Sequence, residues 1–138
     1  MADLREARTI NFAAANRVLD AAVQEAEKLQ VRFCIAVVDS AGNLLAYGRM
    51  DGAPLLSGQL AQDKAYTVAA FGLPTHEWFE MIRDEPALLH GIVKTDRLIV
   101  FGGGIPIRVD GELVGAVGVS GGSSDQDRQV AEAAASVI

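Results

Sequence analysis

The sequence predicts an α+β fold, in which helices pack on a five-stranded antiparallel sheet. The predicted order of elements is helix, two strands, helix, short helix, three strands and helix. Apart from one helical crossover, every link between successive strands is short, and short links favour antiparallel pairing. Because the chain has 138 residues and 50% of them are hydrophobic, we expect a single domain over residues 1–138.

The first helix is predicted over residues 4–29, a segment without proline or glycine. Asp3 and Glu6 form its start signal, because side chains at this spacing can bind the free N–H groups of a first turn. Apolar residues then recur at helical spacing, at Ala7, Ile10, Ala14, Val18, Ala22, Ala26 and Leu29. The many alanines allow this helix to lie close to the surface that it covers.

Two strands are predicted after this helix. Residues 32–39 are apolar and rich in β-branched side chains, which is typical of a buried strand. A turn at residues 40–43 leads to a second strand at residues 44–50, so the two strands form a hairpin. Cys34 lies in the first strand, where we expect it to act as a small hydrophobic residue rather than as a reactive thiol.

The second helix is predicted over residues 54–71, because a proline favours its first turn and Gly72 is a typical end signal. A short helix follows at residues 76–84, with Thr75 as its cap. After a loop, the apolar run at residues 97–101 is predicted to be the third strand. The helical crossover therefore lies between the second and third strands.

Lys64 occupies an unusual position in the second helix. At about 100° per residue, it falls within an apolar arc that also includes Leu60 and Val68. An ammonium group on such a face must find a carboxylate, reach solvent along its own stem, or lose its proton. Three alternatives follow: a buried or half-buried ion pair with Asp51 or Asp39, a role in ligand binding or catalysis, or a surface lysine whose ammonium group reaches solvent.

Eight of the fourteen glycines fall within residues 102–122. The Asp110-Gly111 dipeptide predicts a tight hairpin between strands at residues 105–109 and 112–120. The glycines before and after this hairpin either shape a sharp bend or leave room for a ligand beside the backbone.

The last helix is predicted over residues 124–138, where Ser124 and Asp127 have the spacing of a capping box. Its free N–H groups point towards Gly121 and the following glycine, an arrangement that can bind an anion. The acidic residues in its first turn argue against a phosphate at this position. The chain also lacks the glycine-lysine pattern of a nucleotide-binding P-loop.

The two histidines, His76 and His90, lie in the less regular region before the third predicted strand. Neither has a second ligand three or four residues away, so the sequence predicts no metal site.

The overall charge restricts the partners of this protein. The formal net charge is −6 and the sequence pI is about 4.8, which disfavours nucleic acid and anionic membranes. No apolar run approaches the length of about 20 residues that spans a bilayer. A single cysteine cannot form an intrachain disulfide, so we expect a cytoplasmic protein. The high apolar fraction leaves surface for a second subunit and predicts a homo-oligomer.

Three long stretches of the sequence are AVVDSAGNLLAYGRMDGAPLLS, DKAYTVAAFGLPT and FGGGIPIRVDGELVGAVGVSGGSSDQDRQVAEAA. Together they resemble the GlcG/HbpS family, also called the haem-degrading-domain family. The resemblance extends to a related domain at the end of corrinoid adenosyltransferases. The resemblance implies a profilin-like fold, ring-like assemblies of dimers that are often octamers, and genes near catabolic operons.

The resemblance also implies that haem or a corrinoid could bind. In tetrapyrrole-binding relatives, a histidine on the first helix can ligate the metal, and residues 4–29 contain no histidine. The remaining candidate axial ligands are His76, His90, Met50 and Cys34. We therefore expect the fold to carry over and expect no cofactor from the residues alone.

The first functional hypothesis is a small-molecule-binding accessory protein of a catabolic pathway. Its ligand would be a small oxygenated or carboxylate-bearing molecule, held by charged side chains and by backbone N–H groups at the glycine-rich corners. The candidate ligand-binding residues are Arg49, Asp51, Lys64, Gly103, Gly104, Ser120 and Gly121.

Three other hypotheses remain open. The second is a cofactor-free isomerase, lyase or hydrolase of a small oxygenated intermediate, with Lys64 and Asp51 as acid and base and Arg49 as an electrophilic clamp. The third is a binder of haem or a corrinoid, and the fourth is a purely structural interaction protein.

Overall fold

The sheet has four antiparallel strands within residues 2–138, the part of the chain that the computed structural model describes. The strands are β1 (Cys34–Asp39), β2 (Leu44–Arg49), β3 (Gly104–Val109) and β4 (Glu112–Ser120). They lie in the order β2-β1-β4-β3. The helices are α1 (Phe12–Leu29), α2 (Ser57–Phe71), α3 (Trp78–Ile82), α4 (Pro86–Ile92) and α5 (Ser124–Ala135). The α+β class is confirmed, and the predicted fifth strand is wrong.

The helices cover both faces of this sheet. The larger apolar core lies on the face where α1 and α5 pack together. α2 packs on the opposite face against β1 and β4, over a smaller cluster that includes Cys34, Ala61 and Val68. None of the helices within residues 2–138 combines the length and the hydropathy needed to cross a membrane.

The segment at residues 97–101 is not a strand, because its backbone groups bind a side chain of α2 instead of a neighbouring strand. The Ile99 N–H donates to the Thr67 hydroxyl at 3.0 Å, and that hydroxyl lies 2.8 Å from the carbonyl oxygen of Arg97. Arg97 has a φ of 64°, which turns the chain out of an extended path. This apolar run therefore passes beside α2, and the sheet ends at β3.

α1 begins at Phe12 rather than at residue 4. The side chain of Asn11 caps it, because Asn11 Oδ1 accepts the Ala14 N–H at 2.9 Å. The preceding chain instead runs along the sheet, where the Ile10 N–H donates to the Val114 carbonyl oxygen at 2.9 Å. Burial of the Ile10 side chain beside β4 outweighs the acidic start signal predicted upstream.

The cap of α5 lies one residue before the predicted cap. Ser123 and Gln126 form the capping box, and not Ser124 and Asp127. Asp127 points into the protein interior, where it is 4% exposed. α5 ends at Ala135 rather than at residue 138.

Two boundaries near α2 also differ from the prediction. α2 begins at Ser57 instead of residue 54, and the short helix divides into a 3₁₀ turn at Thr75–Glu77 and α3. The Thr75 hydroxyl accepts the Gly104 N–H at 2.8 Å. It therefore ties this turn to the start of β3 instead of capping a helix.

The glycine-rich hairpin is confirmed. β3 and β4 pair in antiparallel fashion, with Gly104 opposite Gly118. The φ angles of Asp110 and Gly111 are 52° and 79°, and two positive values are what a type I′ turn requires.

Candidate functional site

The sheet brings several predicted site residues to one end. Arg49 at the end of β2 lies opposite Cys34, and Cys34 lies opposite Ser120 at the end of β4. Gly103 and Gly104 lie at the start of β3, at the same end of the sheet. The backbones of these residues are thus neighbours, while their side chains have different surroundings.

Lys64 is fully buried, and its ammonium group joins α2 to α5. Nζ donates to the Asp127 carboxylate at 2.9 Å and to the Val119 carbonyl oxygen at 2.8 Å. The predicted ion pair with Asp51 or Asp39 is therefore wrong. The acid and base pair of the enzyme hypothesis is not formed either, because the carboxylate in contact with Lys64 is not that of Asp51.

Gly103 leaves room for the Lys64 ammonium group to reach Val119 and Asp127. The Val119 N–H donates to the Gly103 carbonyl oxygen at 2.8 Å, and Gly103 then leaves the ladder with a φ of 126°. The Val119 carbonyl group points towards Gly103, on the same side of β4 as the Val119 N–H. Its oxygen accepts a hydrogen bond from Lys64 Nζ instead of from a backbone N–H of a neighbouring strand. A Cβ atom at residue 103 would lie 2.7 Å from Lys64 Nζ and 3.0 Å from Asp127 Cβ. Both the space and the positive φ therefore require glycine here.

Burial governs the protonation of this pair. It lowers the pKa of the Lys64 ammonium group, and the neighbouring Asp127 charge opposes that change. It raises the pKa of the Asp127 carboxyl group, against the effect of Lys64 and of the Gly122 N–H, which donates at 2.9 Å. The Phe101 ring lies 5.1 Å from Lys64 Nζ. Because Lys64 has no solvent-exposed surface, we interpret the pair as a structural link between two helices.

A groove of about 520 Å³ lies between α1 and the edge strand β2. Its lining residues are Leu19, Asp20, Val23 and Glu27 of α1, Gly48 and Arg49 of β2, and Arg32, Met50 and Asp51. Of the predicted site residues, Arg49 and Asp51 line this groove. The others lie outside its lining, namely Lys64, Gly103, Gly104, Ser120 and Gly121.

The two guanidinium groups of the groove differ in their freedom. Arg49 donates to three carbonyl oxygens in the link before α2, those of Ala53, Pro54 and Leu55, at 2.9 to 3.1 Å. Arg32 donates through Nη1 to the Asp51 carbonyl oxygen at 3.0 Å. Arg49 therefore mainly fixes the link to α2, whereas Arg32 keeps donors for a ligand.

Sequence reasoning missed three charged residues of the groove. They are Asp20, Glu27 and Arg32. Asp20 and Glu27 are seven positions apart, so they share one face of α1, and this spacing was a readable signal. Nothing in the local pattern indicated that this face lies beside β2.

The groove does not fit haem ligation by a protein side chain. Among the lining residues that the structure describes, Met50 is the one with a sulfur or imidazole donor, and its Sδ accepts the Phe33 N–H at 3.4 Å. His76 and His90 lie outside the lining. Burial lowers the pKa of His76, and its Nδ1 has no hydrogen-bond partner within residues 2–138.

The fold and the groove define a small α+β protein with a mixed-charge cleft between its first helix and a sheet edge. The family model described as "Haem degrading protein HbpS-like" matches residues 10–136. The chain therefore belongs to the HbpS-like family, and the resemblance found in the sequence is confirmed.

Three similar proteins show the extent of this relationship. An uncharacterized 15.0 kDa protein in the dhaT-dhaS intergenic region of Citrobacter freundii is 40% identical over 128 residues, which cover 91% of this chain and 89% of that protein. Protein GlcG of Escherichia coli K12 is 39% identical over 77% of each chain. The chain in the crystal structure of a PduOC:heme complex has 35% sequence identity to this protein. The two folds superpose with a TM-score of 0.86, over 94% of this chain and 95% of that one.

Proposed function

We propose that this protein binds a small oxygenated or carboxylate-bearing molecule in the groove between α1 and β2, as an accessory protein of a catabolic pathway. The observation that carries the proposal is the groove itself. Its volume of about 520 Å³ lies within the range of about 300–1,000 Å³ that is usual for small-molecule sites. The pathway assignment is supported by the family resemblance, which also supports a ring-like homo-oligomer of dimers. The single cysteine supports a cytoplasmic location.

The chemistry of the lining limits the class of ligand. Leu19, Val23 and Met50 supply an apolar surface, while carboxylates on α1 can accept hydrogen bonds from hydroxyl groups. Arg32 offers unengaged donors to a carboxylate or carbonyl oxygen. Three carboxylates face two guanidinium groups, so a neutral or singly charged ligand fits better than a phosphorylated one.

Within this proposal, the predicted site residues divide into two groups. Arg49 and Asp51 contribute to the groove walls. The remainder lie outside the groove lining, and they are Lys64, Gly103, Gly104, Ser120 and Gly121.

We expect Arg32→Ala to abolish ligand stabilisation while leaving the fold intact. A panel of glycolate, lactate, pyruvate and propane-1,2-diol should include at least one compound that raises the Tm by about 4 °C at ten times its Kd. The Arg32 variant should lose this shift, because its free donors are removed. Differential scanning calorimetry with and without each compound makes the measurement.

Arg17→Ala is the matched control, because Arg17 is an exposed arginine of α1 that does not line the groove. It should keep the full shift. A shift that survives Arg32→Ala, or the absence of any shift across the panel with the native protein, would contradict the proposal.

Haem is the second candidate, and its support comes from the PduOC:heme structure. Since the groove lacks a free axial donor, we expect haemin titration of the native protein to give no spectrum of a ligated haem. Val23→His places an imidazole on α1 at the groove wall and should gain a shifted Soret band. A ligated spectrum in the native protein that is lost on His76→Ala or His90→Ala would instead support haem binding outside the groove.

A further inference from the structure

A second cavity, of about 220 Å³, lies between α2 and the segment at residues 95–98. Its walls include Tyr66, Ala70, Phe71, Thr95, Arg97 and Leu98. α2 covers the face of the sheet opposite α1, so this cavity is separate from the groove discussed above. The inference drawn from it does not depend on the proposed function.

The Arg97 side chain is held rigidly at the wall of this cavity. Its Nε–H donates to Asp63 Oδ1 at 2.9 Å, and its guanidinium carbon lies 3.8 Å from the centre of the Tyr66 ring. Gln59 also donates to Asp63 Oδ1, at 2.8 Å. A guanidinium group that is stacked on one face and anchored at Nε has few alternative orientations.

The backbone of Arg97 is also constrained. Its φ of 64° is a left-handed conformation that side-chain-bearing residues rarely adopt. The Thr67 hydroxyl holds both sides of this position, through the Arg97 carbonyl oxygen at 2.8 Å and the Ile99 N–H at 3.0 Å. The strained backbone and the stacked side chain together fix where the guanidinium group lies.

The terminal Nη1 and Nη2 groups of Arg97 make no hydrogen bond to any residue within 2–138. We propose that they form a receptor for the carboxylate of a small, partly apolar monocarboxylic acid. The planar pair of N–H donors matches the two oxygens of a carboxylate. Ala70, Phe71 and Leu98 supply apolar surface for the rest of the molecule.

The size and charge of the cavity narrow the ligand further. A volume of about 220 Å³ is below the range of about 300–1,000 Å³ for drug-sized ligands, so the acid has few heavy atoms. Asp96 also lines the cavity and is exposed. Its negative charge lowers the affinity for anions and disfavours dianions more than monoanions.

Propionate is a suitable probe, and propionamide is its uncharged counterpart of the same shape. In ¹⁵N-resolved NMR titrations, propionate should produce saturable shifts at the Arg97 Nε–H and at the Thr95 and Leu98 amides. Arg97→Lys should weaken binding about tenfold, because a point charge replaces the planar donor pair. Asp96→Asn should tighten binding several-fold, which also tests the site without altering Arg97.

Arg83→Lys is the matched control. Arg83 lies 5.7 Å from the Phe79 ring and pairs with Glu80 at 3.2 Å, so it has the same chemistry without lining the cavity. The Arg83→Lys variant should bind propionate as the native protein does. The proposal is overturned by no saturable shift in the native protein, by equal binding of propionamide, or by binding that Arg97→Lys leaves unchanged. Those outcomes would leave Arg97 with a structural role only, in linking residues 95–98 to α2. None of them bears on ligand binding in the groove between α1 and β2.

Discussion

Lys64→Met is expected to lower the free energy of unfolding by about 3–5 kcal/mol, the usual cost of removing one partner of a buried ion pair. The variant leaves the Asp127 carboxylate buried and unpaired, with 5% of its side chain exposed. It also removes the only side-chain donor to the Val119 carbonyl oxygen within the described chain. Urea unfolding followed by circular dichroism at pH 7 makes the measurement.

Two further variants test the reason for this loss. The double variant Lys64→Met with Asp127→Leu should recover part of the stability, because no charge then remains buried. The recovery should be incomplete, since Asp127 also accepts the Gly122 N–H. Lys28→Met is the control, because Lys28 is 74% exposed in its pair with Glu25 and should change stability little. A small effect of Lys64→Met would contradict a structural ion pair.

The pH dependence of Lys64→Met gives a second readout of the same pair. Burial already raises the pKa of Asp127 above 3.8 in the native protein, where Lys64 opposes the rise. Without Lys64 that pKa should rise further, so the folded variant binds a proton at a pH where the unfolded chain does not. Its stability relative to the native protein should therefore increase as the pH falls from 7 towards 4. Urea midpoints across this range test it, and a deficit that does not change with pH would contradict it.

Gly118→Ala is expected to destabilise the protein by about 3 kcal/mol, at the upper end of what overpacking usually costs. A Cβ atom at residue 118 would lie 2.7 Å from the Ala65 nitrogen and closer still to the Ala61 carbonyl oxygen. Both atoms belong to the backbone of α2, so no side-chain rotation can relieve the overlap and the whole helix must move away from β4. Chemical denaturation gives the magnitude.

Gly91→Ala provides the comparison for this variant. Residue 91 lies in α4, and apart from its chain neighbours and the adjacent backbone of the same helix, no described atom lies within 4 Å of the position of an added Cβ. Alanine there should be neutral or slightly stabilising, because it restricts the unfolded chain. If Gly118→Ala costs no more than Gly91→Ala, α2 does not rest on β4 as closely as the structure shows.

The amino-acid sequence alone determined the features that depend only on residues close together in the chain. The Asp110-Gly111 turn follows from the backbone preferences of two residues, and the sequence alone located it. The periodicity of a single helix placed Lys64 on an apolar face, and the structure shows that its side chain is fully buried there. The family resemblance likewise came from long contiguous motifs.

Competition between distant groups decided the rest. Asp127 is 63 positions from Lys64 in the chain, and only the packing of α2 and α5 around the strand ends makes it the partner. The apolar run at residues 97–101 has a strand-like composition. However, its backbone groups form hydrogen bonds with the Thr67 hydroxyl instead of with a neighbouring strand. The groove depends on how α1 lies beside β2, and no local pattern records that placement, because the free energy of packing depends on surfaces far apart in the sequence.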